Sequence, residues 1–250
     1  MIDAKRAATV MVLRQGEGEP ELILLKRSRK LGFFPSAWVF PGGRVDAEDH
    51  SFPSTGSVYG LEDLDFAVAA IRECFEEAGF WLGQGTPDSK LRDILNRREG
   101  YLPVDGSLVA DLDQMRLWSW WITPDTEPKR YDTKFFLCCV DDEQEISHDN
   151  EEAVESCWMS PRLAVEKHES GEMFMAPPTY LTLLELAKFE HVDQIWAAAK
   201  TKNLSVIQPT HFKEDGQFEI RLPGHSEHPV SAQVLDWTKV VLRDGRWLAY

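Results

Sequence analysis

Residues 72–80 read Arg72-Glu73-Cys74-Phe75-Glu76-Glu77-Ala78-Gly79-Phe80, and this segment carries the residue types best suited to chemistry. On a helix that advances about 100° per residue, with Glu73 as the origin, Glu77 falls near about 40° and Glu76 near about 300°. Three carboxylates therefore share one face. Ala67, Ala70, Ile71, Cys74 and Ala78 fall between about 60° and 160°, the buried side. Arg72 stands beside Glu76 at i,i+4. Like charges at that spacing destabilise a helix by ~0.2–0.5 kcal/mol per pair. Crowded carboxylates also raise one another's pKa unless a cation neutralises them. A hard divalent cation with oxygen ligands removes both penalties, and Mg²⁺ or Mn²⁺ fits best. Glu73, Glu76 and Glu77 are thus candidate metal ligands, with Arg72 free to orient one of them. The competing reading is a solvated acidic helix face. Cys74 lies on the apolar side and is rejected as a nucleophile.

The elements that must position this face follow from local patterning. A helix is expected over residues 64–80, closed by Gly79. Upstream, a short strand at residues 38–40 is stopped by Pro41-Gly42-Gly43. Two glycines there let backbone approach a ligand and offer carbonyl or N–H groups. Residues 7–14 and 22–27 read as strands joined by a hairpin loop, and residues 44–62 read as a polar loop. A second helix is expected at 88–98, and strands at 117–122, 133–140 and 153–159. Ser160-Pro161 starts a further helix, with Ser160 as N-cap. Residues 178–200 read as one long helical stretch, and 203–250 as a strand-and-turn extension. Strand alternation sends Trp118 and Trp120 to one face and Trp121 to the other, which favours core packing over base stacking. The seven histidines are scattered without metal-ligand spacing. No P-loop, GxGxxG or GxSxG pattern occurs.

Composition limits the partners. The chain has 250 residues, with 42 acids against 27 bases and a formal net charge of −15. Such a surface repels phosphate backbones and anionic lipid, so neither nucleic acid nor membrane is an expected partner. Apolar runs such as Phe135 to Val140 do not exceed six residues, far short of the ~20 that a spanning helix needs. The N-terminal residues lack a signal-peptide pattern and the chain ends Leu-Ala-Tyr, which is not a peroxisomal address. Cys74, Cys138, Cys139 and Cys157 lack CxxC spacing, so buried thiols in a reducing, cytoplasmic setting are expected. A homodimer is left open.

The acidic segment resembles the second half of the Nudix box, Gx5Ex7REUxEExGU, with Cys74 and Phe80 in its apolar slots and Gly42 or Gly43 as the opening glycine. The box is stretched by an insertion, and the position eight before Arg72 is Leu64 where the family has Glu. Asp46, Glu48, Glu62 or Asp63 can replace that acid, or nothing does. A subgroup of the superfamily has a similarly interrupted box and includes coenzyme A diphosphatases. The chain resembles it at Leu24-Leu25-Lys26-Arg27-Ser28, Gly32-Phe33, Val39-Phe40-Pro41-Gly42-Gly43 and Trp121-Ile122-Thr123-Pro124. Further blocks are residues 129–138, Trp158-Met159-Ser160-Pro161, Ala176-Pro177-Pro178-Thr179 and Leu222-Pro223-Gly224.

The resemblance implies an α/β fold, a Nudix α/β/α sandwich with a mixed sheet, at residues 1–202. A C-terminal β-rich extension at 203–250 packs on the same domain. It implies divalent-metal-dependent hydrolysis of a nucleoside-linked diphosphate, with coenzyme A or acyl-coenzyme A as the leading small-molecule substrate. ADP-ribose, a dinucleotide such as NADH, or a non-catalytic ligand sensor are the alternatives. Glu73, Glu76 and Glu77 would hold Mg²⁺ or Mn²⁺. Arg72, Glu76 and Glu152 are the expected catalytic residues. Glu152 is preferred over Glu151 and Glu155 because it lies six residues before Trp158, as in a family pattern. Arg27, Gly42, Gly43 and Arg130 are the expected substrate contacts. Arg29, Lys30, Lys129 and Lys134 are further basic residues able to hold a second phosphate, against a bland reading as surface charge.

Overall fold

The computed structural model describes residues 3–30, 34–141, 144–214 and 216–250. Gly32-Phe33, used in the sequence reading, lies outside the described residues. The chain runs β1 Lys5–Gln15, β2 Pro20–Arg27, β3 Trp38–Val39, β4 Gly42–Arg44 and β5 Ser54–Thr55, then α1 Asp65–Ala78 and β6 Gly83–Gln84. There follow α2 Ser89–Asn96, β7 Val109–Asp111, β8 Met115–Ile122, β9 Tyr131–Cys139 and β10 Ala153–Met159. The last third holds α3 Pro161–Ser170, α4 Pro177–Leu186, α5 Val192–Ala199, β11 Val206–Ile207, β12 Thr210–Glu214, β13 Gln217–Arg221, β14 Lys239–Arg243 and β15 Arg246–Ala249.

The main sheet has the order β10-β2-β1-β9-β8-β11, with β3 beside β2 and β4 beside β1. It is mixed: β1 runs parallel to β9, and β11 parallel to β8, while the other pairs are antiparallel. Central β1 has both faces covered, and Val10, Met11, Val12 and Leu13 are all fully buried. That is why it reads as a continuous apolar run instead of an alternating one. Its side chains still alternate between layers. Ala8, Val10 and Val12 pack with Ala70, Ile71 and Cys74 of α1. Met11 and Leu13 pack on the opposite side with Leu181, Ile195 and Ile220. The expected α/β/α sandwich is therefore present, and the C-terminal strands β12-β13-β14-β15 form an antiparallel sheet behind its second layer. Among the described residues no helix is long and apolar enough to cross a membrane.

Three expectations are corrected. Residues 44–62 are not a plain polar loop. They contain a 3₁₀ turn, Ala47–Ser51, and strand β5, which joins β7 and β6 in a three-stranded sheet. Phe52 and Val58 of this segment are buried against the α1 layer. Residues 178–200 are two helices, because α4 ends at Leu186 and α5 starts at Val192. Splitting the stretch lets Leu183 and Ile195 enter one core from two axes. The tryptophan alternation breaks at a bulge in the β8–β9 register between Leu117 and Ser119. The extra residue puts Trp118 and Trp121 in the same core, because a bulge shifts the facing of the residues after it.

Candidate active site

Helix α1 supplies the acidic face. Its C-terminus closes at Gly79, whose φ of +68° favours glycine and whose N–H bonds the Phe75 carbonyl at 2.9 Å. Arg92 of α2 completes that end: Nε donates to the Glu76 carbonyl at 2.9 Å and Nη2 to the Glu77 carbonyl at 3.0 Å. A cation at a helix C-terminus also complements the helix dipole. The register of the acidic turn is thereby fixed from below.

Strand β4 fixes it from the side. Ala7, Ala8 and Thr9 of β1 pair with Arg44, Gly43 and Gly42. A methyl group on Gly42 would overlap the Ala8 carbonyl, and one on Gly43 would overlap the Glu73 carboxylate. The Gly42 N–H donates to Glu77 Oε2 at 2.9 Å. Both glycines thus let a strand approach the glutamates, and the chain resumes sheet pairing at the point where the sequence suggested it stops.

Arg72 is the hub. Its side chain is 3% exposed, and Asp49, whose side chain is 0% exposed, receives Nε at 3.0 Å and Nη2 at 3.2 Å. Nη1 reaches Glu73 Oε1 at 2.8 Å and Glu76 Oε1 at 3.1 Å, and Nη2 reaches the Arg44 carbonyl at 2.8 Å. Tyr101 donates its hydroxyl to Asp49. Asp49 is therefore the acid that stands in for the missing box glutamate, and sequence reasoning missed it. Of the four acids weighed for that role, only Asp46 comes near, at 3.7 Å and half-exposed. The available signal was weak: Asp49 sits within a polar run whose fold was not read.

The three glutamates of this face are buried and crowded together. Burial pushes Glu73 up to about 7 against the pull of Arg72, and the charges of Glu76 and Glu152 add to the push. Burial raises Glu76 as well, again opposed by Arg72. Glu77 is held well above the carboxylate range by burial and then by the Glu73 charge, with the Gly42 N–H opposing. One guanidinium thus faces Asp49, Glu73 and Glu76, while Glu77 feels the charge of Arg27. A donor set of buried carboxylates with excess negative charge fits a hard divalent ion. Among the described residues, no three His, Cys, Asp or Glu side chains already converge in a metal-holding arrangement. Glu73 and Glu76 each give one carboxylate oxygen, Oε1, to Arg72.

The face opens on a cleft of about 1060 Å³ lined by Glu73, Glu76, Glu77, Gly42, Gly43, Arg27 and Glu152. The model of the NUDT19 Nudix domain matches residues 53–186, more than half of the chain. The chain belongs to the NUDT19 Nudix family. An acyl-coenzyme A diphosphatase NUDT19 of Gallus gallus is 30% identical, over 86% of this chain and 74% of that protein. The protein of the same name from Xenopus laevis is 26% identical, over 70% of this chain and 62% of that protein. A solved Nudix hydrolase from Alicyclobacillus acidocaldarius superposes with a TM-score of 0.70 at 28% identity, covering 82% of this chain and 98% of that one.

Within this Nudix hydrolase the remaining candidates separate by position. Glu152 lines the cleft and keeps 47% of its side chain exposed, with Arg98 Nη2 at 3.7 Å. Glu151 and Glu155 are not in the lining, and Glu155 is paired with Lys26 at 2.6 Å. Arg130 is not in the lining either: its Nη2 pairs with Asp125 at 2.5 Å and its Nε donates to the Thr123 carbonyl at 3.2 Å. Lys134 is held inside the first layer, with Nζ 3.7 Å from the Phe66 ring centre and 4.1 Å from that of Trp120. Arg29, Lys30 and Lys129 are also absent from the lining. Arg44 and Arg98, which sequence reasoning did not single out, are in it.

Proposed function

We propose that this chain is a divalent-metal-dependent diphosphatase acting on coenzyme A or acyl-coenzyme A. The products are adenosine 3′,5′-bisphosphate and 4′-phosphopantetheine or its acyl form. The observation that carries the reading is the union, in one large cleft, of the Nudix glutamates on α1 with Arg27 and Glu152 from the β2 and β10 side. The names of the relatives supply the substrate class.

Glu73, Glu76 and Glu77 would hold Mg²⁺ or Mn²⁺, which when bound neutralises phosphate oxygens and acidifies water. Arg72, locked by Asp49, positions Glu73 and Glu76. Arg27 and the backbone of Gly42 and Gly43 face the diphosphate. Glu152 takes the proton of the attacking water as its oxygen bonds phosphorus and the anhydride P–O bond breaks. Glu76 is less suited to that step because Arg72 Nη1 already holds it. The net charge supports a small-molecule partner and no nucleic acid or membrane surface. All four cysteines are free, and a reducing, cytoplasmic setting is part of this proposal.

The test is a mass-spectrometric product assay. Coenzyme A, acetyl-coenzyme A, ADP-ribose and NADH are each offered with Mg²⁺, Mn²⁺ or chelator, beside Glu77→Gln and Glu152→Gln. Metal-dependent formation of the two coenzyme A halves is expected, with kcat lowered by about 10²–10⁴-fold in Glu152→Gln. Cleavage of ADP-ribose or NADH alone overturns the substrate. Binding without turnover of any of them makes the protein a sensor.

A further inference from the structure

A proton acceptor on a half-exposed side chain works only if its backbone is held in place. Glu152 is such a residue: its side chain is 47% exposed, and its charge reaches Glu73 and Glu77. The β2 side holds its carbonyl, which accepts the Ser28 N–H at 2.8 Å. A side chain holds its N–H. Asp149 Oδ1 accepts the N–H groups of Glu151 at 3.1 Å, Glu152 at 3.1 Å and Ala153 at 2.8 Å, and Oδ2 accepts that of Glu152 at 3.2 Å. Between them stands Asn150 at φ +67°, a conformation that asparagine adopts more readily than most residues. The chain there folds three successive N–H groups back onto one carboxylate.

The same turn is fastened to the helix that bears the glutamates. The Ser147 N–H donates to the Ala78 carbonyl at 2.9 Å. Arg92 donates Nη1 to Ser147 Oγ at 2.7 Å, while its Nε and Nη2 hold the carbonyls of Glu76 and Glu77. A methyl group on Gly79 would crowd both Ser147 Oγ and Arg92 Nη1, each 2.9 Å away. Burial lowers the pKa of Arg92, and the charge of Asp149 leads the opposition to it. Asp149 therefore stands at the joint between the last turn of α1 and Glu152. It lines the cleft, yet both of its oxygens are engaged with backbone N–H groups.

We propose that Asp149 is a positioning residue that acts through Glu152. It holds the Glu152 carboxylate at a set distance from Glu73 and Glu77, and Arg92 and Ser147 are the link to α1. The proposal rests on the reading of Glu152 as proton acceptor and deepens it. The bonds that Asp149 makes are to backbone on the β10 side, so its loss should fall on kcat and spare metal and substrate affinity.

The experiment measures kcat, KM, Tm and Mn²⁺ affinity by calorimetry, on whichever diphosphate the wild type cleaves. The variants are Asp149→Ala, Asp149→Asn, Asp149→Glu, Glu152→Gln and the double variant Asp149→Ala with Glu152→Gln. Asp149→Ala should lower kcat by about 10–10²-fold, with KM and Mn²⁺ affinity within about twofold of wild type. Asp149→Asn keeps an acceptor oxygen for the three N–H groups and should recover most of that loss. Asp149→Glu keeps the charge and moves the acceptor by one methylene; it should show the same split as the alanine variant, and it carries the test where that variant is too unstable. In the Glu152→Gln background, Asp149→Ala should cost no more than about twofold further, because the two residues act as one unit. Multiplicative losses in the double variant, an asparagine variant as slow as the alanine one, or Mn²⁺ affinity that falls with kcat overturns the positioning role. A wild-type kcat in Glu152→Gln overturns the assignment of Glu152, and this proposal with it. A wild type that cleaves none of the diphosphates overturns the diphosphatase reading as well.

Discussion

Asp49 shows how one residue decides whether a motif works. A buried guanidinium needs a carboxylate of matching geometry, and removing one partner of such a pair leaves an uncompensated charge. Asp49→Ala should therefore cost about 3 kcal/mol in urea unfolding. Asp46→Ala, at a half-exposed acid 3.7 Å from Arg72, should stay within about 0.5 kcal/mol. Equal losses in the two variants would refute the assignment of Asp49 as the box acid. The glutamates themselves were readable because their spacing on a helix is a local fact. Asp49 was not, because its value lies in reaching Arg72 across an inserted segment, and nothing in its neighbours marks it among so many acids.

Helix α1 is held by parts drawn from distant sequence. The main sheet covers one side, the inserted segment supplies Phe52 and Val58 to the same core, and Arg92 bonds the last turn. Arg92→Ala removes two hydrogen bonds to the carbonyls of Glu76 and Glu77 and two to Ser147. A loss of about 1–3 kcal/mol is expected from hydrogen bonds of this charge-assisted kind, seen as a lower Tm in the metal-free protein. Raising metal concentration should narrow the gap if the arginine only sets the register of the ligands. A Tm equal to the wild type would show that the helix end needs no such support. Helix limits near residues 65 and 78 were legible from Gly79 and from the apolar face. The burial of Phe66, Val68 and Ala69 on the remaining side was not, since it depends on what the insertion does after folding.

At the scale of the molecule, His168 joins layers. It is fully buried. Nε2 meets the Trp247 carbonyl of β15 at 2.9 Å, and Nδ1 lies 3.2 Å from both the Met175 N–H and the Met173 carbonyl. Burial lowers its pKa, so the unfolded chain binds the proton more readily. Its contribution to stability is complete above the unfolded value of about 6.5 and is lost as pH falls from there toward the folded value. The raised carboxylates of α1 slope the other way. The comparison with His168→Gln isolates the histidine: the stability gap should shrink between about pH 6.5 and 5. A gap independent of pH would remove the titration from this contact.

The sequence by itself determined what is local. Helical spacing set three carboxylates on one face, Gly79 ended the helix, Pro41-Gly42-Gly43 marked a close backbone approach, and the ordered motifs carried the family. Tertiary structure decided what depends on partners far along the chain: Asp49 as the mate of Arg72, the withdrawal of Arg130 and Lys134 from the cleft, and the bulge that turns Trp118 and Trp121 to one side. The physical reason is the same in each case. Periodicity and turn chemistry are short-range, whereas a buried charge or an aromatic ring settles where packing leaves it a counter-charge or a cavity, and that is known only after the layers have closed.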